Sequence, residues 1–408
     1  MRFLMSALLL VVTALSRAAD APPPPPPLPP TIGPYLQNPA PDGMTVCFLT
    51  QVTGSVQVLA EPQAPTTPVP AAGSAVPGTP WILWKARIAG LQPGAACAYR
   101  VEQREGGRVV AQAESAFTTL APAAGEARLI LLNDLHNRTA TLEALLKHVK
   151  PEDFGLSVLL GDCWADPSPA QGADGVFRTL EAYVRLLDAG RKPMLLVRGN
   201  HETRGGFAGR LAHLFDIPGL DAGLKQDDQL WPFRLQCGPA YFMALDTGED
   251  DDFNTDETSY KRPKFWQAYR QRQTPWLKDA LAAAGASGAP WKVFLSHIPL
   301  YNPAGWNSEP SRVYWEPLLR DAGLVAMLAG HDHGWKLVPA GKPITRVTKH
   351  KDGTSTSEAL VPPCPVLIGG GPALNEATVM LLEATAQRLR VRLQNVNGKL
   401  LTETARER

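Results

Sequence analysis

Met194-Leu195-Leu196-Val197-Arg198-Gly199-Asn200-His201-Glu202 is an apolar run of strand length that breaks into a polar cluster. Four apolar residues in a row, closed by a glycine turn, read as a strand buried on both faces at the point where it leaves its sheet. The same pattern occurs four more times. Leu129-Ile130-Leu131-Leu132 runs into Asn133-Asp134-Leu135-His136, and Val158-Leu159-Leu160 into Gly161-Asp162. Val293-Phe294-Leu295 runs into Ser296-His297, and Val325-Ala326-Met327-Leu328-Ala329 into Gly330-His331-Asp332-His333. Segments of helical character lie between them, at Thr141 to Lys150, Phe177 to Ala189 and Trp276 to Ala284. Strands alternating with helices indicate a layered α/β domain.

In layered α/β folds, ligand sites gather beyond the carboxyl ends of the strands. Five such ends brought together would collect two carboxylates, an amide and several imidazoles. Oxygen and imidazole donors without thiolates suit Fe, Mn, Zn or Co. Five of the chain's 8 histidines fall in these clusters. Any one cluster is by default a turn or a helix cap. The ordered set, each member behind its own strand, is what points to a metal site.

The set resembles that of the calcineurin-like metallophosphoesterase superfamily over about 250 residues. The resemblance implies a two-sheet sandwich flanked by helices and a pair of metal ions, with Fe, Mn or Zn expected. Asp134, His136 and His333 would hold one ion, and Asn200, His297 and His331 the other. Asp162 would bridge them, and His201 would be the catalytic histidine beside the leaving group. Two such ions about 3.5–4 Å apart clamp a phosphate and lower the pKa of a bound water from 15.7 towards 7, giving the attacking hydroxide. Arg198 matches an arginine that grips the substrate phosphate in the phosphoprotein phosphatase branch, with a strand-end ion pair as the alternative. Glu202 is placed to orient His201, with a solvated salt bridge as its alternative. Arg138 and Arg204 also neighbour the site.

Ahead of this domain, residues 31–120 carry short β-rich runs: Met44 to Thr50, Ala98 to Val101 and Ala116 to Thr119. The turns Ala40-Pro41-Asp42-Gly43 and Leu91-Gln92-Pro93-Gly94 separate them. That density indicates a β-sandwich. With Gly33-Pro34-Tyr35-Leu36-Gln37-Asn38-Pro39 at its start, it resembles the amino-terminal fibronectin type III-like domain of purple acid phosphatases. The metal motifs depart from those enzymes at one point. Their metal-bound tyrosine lies three residues after the bridging aspartate, where this chain has Ala165; His136 stands in its place as a ligand. By the same resemblance, residues 126–405 are expected to form the metallophosphoesterase domain, which closes on a β-rich tail with an Asn397-Gly398 hairpin turn.

Residues 1–18 read as a signal peptide, with a short cationic start, an apolar stretch and small residues before the cut. Residues 19–30 are an extended proline-rich linker. Secretion or a periplasmic location is expected, with an uncleaved anchor as the alternative and no membrane span in the mature chain. The 40 basic and 39 acidic residues nearly cancel, so no nucleic-acid-binding patch is expected. Five cysteines cannot all pair within one chain. Cys47 and Cys97 are expected to be unpaired, because Phe48 rather than Cys47 takes the inward position on its strand. His148, His213 and His350 lie outside every motif. The expected function is an exported dinuclear-metal phosphoesterase acting on small phosphate esters, an acid-phosphatase-like phosphomonoesterase by preference. The alternatives are a phosphodiesterase or nucleotidase with the same core and, from another class, a non-catalytic surface binding protein.

Overall fold

A computed structural model describes residues 31–51, 54–61, 68–122, 125–167, 175–250, 262–303, 309–349 and 354–408. The expected signal peptide, the proline linker and His350 lie outside the described residues. Eight strands come first: β1 (Thr31–Ala40), β2 (Gly43–Thr50), β3 (Ser55–Ala60), β4 (Val69–Pro70), β5 (Ala72–Ala75), β6 (Ile82–Ala89), β7 (Ala96–Glu105) and β8 (Arg108–Thr118). They form two four-stranded sheets, ordered β1-β2-β6-β5 and β4-β3-β7-β8. Val46 and Phe48 face the interior of this sandwich, packing with Val58, Val101 and Phe117.

The rest of the chain holds β9 (Glu126–Leu132), β10 (Leu156–Leu160), β11 (Met194–Val197), β12 (Phe233–Cys237), β13 (Ala240–Leu245), β14 (Trp291–Ser296) and β15 (Leu324–Ala329). After these come β16 (Lys336–Val338), β17 (Ile344–Lys349), β18 (Ser355–Leu360), β19 (Val366–Ile368), β20 (Thr378–Thr385), β21 (Arg388–Asn395) and β22 (Leu400–Glu407). One six-stranded sheet runs β11-β10-β9-β20-β21-β22 and a second runs β12-β13-β14-β15-β19-β16. β9, β10 and β11 are parallel, and so are β13, β14, β15 and β19. The tail enters the first sheet through β20, antiparallel to β9, and the Asn397-Gly398 turn joins β21 to β22.

Alternation along the second sheet shows how the sheets stack. Val293 and Leu295 face the first sheet, whereas Phe294 faces the opposite way, towards Leu277, Trp315 and Leu319. Those three belong to α4 (Thr274–Ala286) and α5 (Glu309–Leu319), which with α3 (Pro263–Arg272) follow α1 (Thr139–Leu146) and α2 (Gly175–Leu186) in the chain. α1 and α2 add Leu142, Leu145, Phe177 and Tyr183 to the core of the first sheet. Burying a residue such as Phe294 from water contributes about 1.5–3 kcal/mol.

β2 is buried along its whole length. Its inward residues fill the sandwich, while Cys47 and Leu49 join Tyr35, Trp81 and Leu83 in the same core as β9 to β11. Trp81 stacks on Phe177 of α2, with ring centroids 5.1 Å apart. Backbone and side-chain hydrogen bonds reinforce the contact: Leu36 N to Ala189 O at 2.8 Å, Tyr35 Oη to Leu214 O at 2.8 Å and Tyr99 Oη to Gly190 O at 2.6 Å. All five cysteines are free, Cys47 and Cys97 among them.

Candidate metal centre

The five strand ends meet where the two sheets face each other. Asp134, Asp162 and Asn200 follow β9, β10 and β11 of one sheet, and His297 and His331 follow β14 and β15 of the other. Beyond β9 and β10 the backbone pairing continues, from Asp134 N to Gly161 O and from His136 N to Asp162 O, both at 2.9 Å. Five of the seven expected ligands, Asp134, His136, Asp162, His331 and His333, adopt left-handed φ values between 45° and 77°. Such a conformation costs on the order of 1–3 kcal/mol per non-glycine residue and persists only where the surroundings impose it. The motif glycines allow the close approach. A Cβ at Gly161 would lie 2.3 Å from the His297 ring, and one at Gly199 2.3 Å from Asp162 Oδ1.

The donor atoms form two overlapping groups. Asp134 Oδ1 lies 3.5 Å from His333 Nε2 and 3.9 Å from His136 Nε2, and the two imidazole nitrogens are 3.1 Å apart. Asp162 Oδ2 lies 3.0 Å from His297 Nε2 and 3.8 Å from His136 Nε2, so it reaches both groups. The Asn200 amide oxygen is 3.0 Å from His331 Nδ1, and it faces Asp162 Oδ2 and His297 Nε2, each at 3.2 Å. Asp134 Oδ1 is buried and accepts no hydrogen bond. Two carboxylates and several imidazoles thus converge with Asp134 Oδ1 left without a donor, and a bound cation would resolve that arrangement. The Cys163 thiol, beside Asp162, is no competing ligand: burial pushes its pKa well up, and it contacts Gly161 O at 3.6 Å.

Supporting contacts fix the rings and charges. His297 Nδ1 lies 2.9 Å from Leu160 O, which aims Nε2 at the two aspartates. This is the outer hydrogen bond that metal-binding histidines usually make. Burial pulls the His297 pKa down, but Asp162 and Asp134 carry it up to about 10. Burial likewise raises Asp134, yet His297, His136 and His333 hold it below the usual carboxylate range. Asn133 Nδ2 donates to Asp134 Oδ2 at 2.6 Å. The site opens into a cleft of about 280 Å³ lined by Asp162, Asn200, His201, Asp250, His331, Asp332 and His333.

His201 stands at this cleft with Nδ1 2.7 Å from Asp166 Oδ1 and Nε2 3.3 Å from Arg204 Nη1. Burial lowers its pKa; Arg204 and His136 act the same way, against Asp162 and Asp166. Glu202 does not orient it. The Glu202 carboxylate turns inward and accepts from the backbone N–H groups of Asp162, Trp164 and Gly199, each at 2.8 Å. It therefore ties the Asp162 turn to the Asn200 turn. Burial, with Asp162 close by, raises its pKa to about 7.

The expectation that Arg198 grips substrate also needs correction. Arg198 is fully buried. Its Nε donates to Asp246 Oδ2 at 2.6 Å and its Nη2 to Tyr269 Oη at 3.0 Å, with the Trp231 ring 5.2 Å away. A guanidinium in that environment is a strand-end ion pair, as the alternative reading held. Sequence reasoning missed Asp166 and Asp246; it offers residues 249–274 as a loop bordering the substrate, where Asp250 does line the cleft but Pro263–Arg272 forms the helix α3. Arg204 pairs with Glu249 through Nε at 2.7 Å and with Asp250 through Nη2 at 3.1 Å. Arg138 is exposed, and His148 packs beside Gly398.

Comparison with known proteins bears on the same region. The family model of the calcineurin-like phosphoesterases matches residues 127–335, just over half of the chain. Purple acid phosphatase 5 of Arabidopsis thaliana is 29% identical over 99 residues, which span 23% of this chain and 24% of that relative. The match thus covers only about a quarter of that protein's length. The purple acid phosphatase PPD1 from yellow lupin (Lupinus luteus) seeds superposes with a TM-score of 0.71 at 15% identity, covering 93% of this chain and 74% of that one. At that identity the likeness is one of fold, and it includes the strand-rich front. From the family match and the motifs behind the five strands, this chain belongs to the calcineurin-like phosphoesterase family.

Proposed function

We propose that the chain is a metal-dependent phosphoric ester hydrolase acting on small phosphate esters, monoesters by preference. The observation that supports this most is the convergence of seven oxygen and imidazole donors from both sheets beside an open cleft. Asp134, His136 and His333 would hold one ion, Asn200, His297 and His331 a second, and Asp162 would be shared. When bound, such ions supply Lewis-acid activation of water and neutralise phosphate charge. His201, when its ring is protonated, would have the part of general acid, passing a proton from Nε2 to the departing oxygen. Asp166 orients its ring by accepting from Nδ1, and the turn held by Glu202 sets its height above Asp162. The division into a sandwich at 31–120 and a hydrolase body at 126–405 belongs to the same reading, as do residues 1–18 as an export signal and residues 19–30 as a spacer. No helix among the described residues is long and apolar enough to cross a membrane.

Hydrolysis of p-nitrophenyl phosphate measured against bis-p-nitrophenyl phosphate, with Mn, Zn or Fe(II) added, tests the proposal. Faster turnover of the monoester is the expected result. Preference for the diester would shift the reading to a phosphodiesterase, and no turnover of either under any metal would favour a binding protein.

The spectrum of the loaded protein gives a separate check. Ala165 follows Asp162 by three residues, no tyrosine among the described residues lines the cleft, and His136 points its Nε2 at both aspartates. A neutral imidazole in place of an anionic phenolate leaves one less negative charge at that metal and so favours divalent ions. The purified protein is expected to be colourless or pale. An intense visible band that disappears on chelation would refute this.

A further inference from the structure

His331 and His333 face a mechanical problem that His297 does not. His297 is held by its own ring, through Nδ1 to Leu160 O. His331 uses Nδ1 within the site, 3.0 Å from Asn200 Oδ1, and its Nε2 comes no nearer than 3.9 Å to Asp250. The ring nitrogen of His333 that contacts the site is Nε2, and its side chain is 43% exposed. Among the described residues neither ring has an outer hydrogen bond of the His297 kind. Both residues also sit at left-handed φ, 77° and 55°. Relaxation of that turn would swing a ligand out of each metal group.

The residue between them supplies the anchor. Asp332 has a side chain only 5% exposed, although it borders the cleft. Its Oδ1 accepts from Asn302 Nδ2 at 2.8 Å, and Asn302 is fully buried in the second sheet's outer loop. Its Oδ2 pairs with Lys336 Nζ at the start of β16. Lys336 Nζ also reaches Asn302 Oδ1 at 3.3 Å, which closes a three-membered ring of contacts. The lysine balances a charge that would otherwise repel a phosphate across the cleft.

We propose that Asp332 is a positioning residue: clamped by Asn302 and Lys336, it holds the His331–His333 turn in the strained form that aims one imidazole at each metal group. Outer-shell partners of metal-binding histidines typically act on the rings; here the anchor acts through the backbone between two ligands. The inference rests on the metal-centre reading above and adds a cause for its affinity.

Metal affinity, read by chelator competition and elemental analysis on the full chain, tests it. Asp332→Ala is expected to bind both ions about 10–100-fold more weakly, the range for loss of outer-shell partners. Asp332→Asn keeps a hydrogen bond to Asn302 but loses the ion pair with Lys336, so its loss should be smaller. The melting temperature of the chelator-stripped protein should stay unchanged in both. Unchanged metal affinity in Asp332→Ala would overturn the inference, as would a loss fully matched by a drop in the stripped protein's melting temperature. Should the alanine variant fail to fold, Asp332→Asn and Lys336→Met carry the same criterion. A wild-type protein that holds no metal at all would instead sink the metal-centre reading itself.

Discussion

Asp162→Asn is expected to yield protein that retains neither metal ion in stoichiometric amount. Asp162 is the carboxylate whose Oδ2 is within reach of both donor groups, 3.0 Å from His297 on one side and 3.8 Å from His136 on the other. Its Oδ1 is already used, accepting from His201 N at 2.8 Å. An amide can still satisfy that backbone group. It then turns an uncharged atom, or an N–H, towards the imidazoles. Loss of the shared negative charge should weaken both sites by at least about 10²-fold, above the range for outer-shell partners. Elemental analysis of the purified variant is the measurement. Two full equivalents retained would exclude Asp162 as the bridge, and one equivalent lost would assign it to a single ion.

His201→Ala should do the opposite, keeping both metals and losing rate. A positioned general acid contributes about 10²–10⁴-fold, or about 3–5 kcal/mol of barrier. The loss should shrink for esters with good leaving groups, which need little protonation. The geometry leaves a rival role to separate, because the His201 ring also falls within ligand distance of His136 and Asp162. A metal equivalent missing from the variant would make His201 a ligand. An equal rate loss for good and poor leaving groups would remove the acid role.

Much of this site was legible because its logic is local. Each donor follows its own apolar run by a few residues, and the run alone says that the donor stands at a sheet's edge. The sandwich and the Asn397-Gly398 hairpin were legible for the same reason. What escaped was set by partners distant in the chain. Arg198 sits next to the Gly199–Glu202 motif, but its environment comes from Asp246, Trp231 and Tyr269, which are 33 to 71 residues further on. Glu202 adjoins His201 in sequence, yet three backbone N–H groups of neighbouring turns capture its carboxylate. One signal was present for the missed carboxylates. Tyr241-Phe242-Met243-Ala244-Leu245 runs into Asp246-Thr247-Gly248-Glu249-Asp250, a sixth strand end built like the other five. α3 gave no such sign, since Phe265, Trp266 and Tyr269 stand in a short, otherwise mostly polar stretch that ends in Arg270-Gln271-Arg272.

The core that β2 shares with β9 to β11 has a consequence for inheritance. A sandwich tethered by a linker can be cut out and joined to other enzymes as a cassette. This one cannot leave without stripping the cover from Phe177 and from the Ala189–Gly190 turn that leads into β11. Deletion would turn an interior into a sticky surface just behind the strand that delivers Asn200 and His201. The front and back of the chain have therefore to diverge together, and a substitution at Tyr35 or Trp81 is constrained by the hydrolase body as firmly as by the sandwich that carries it.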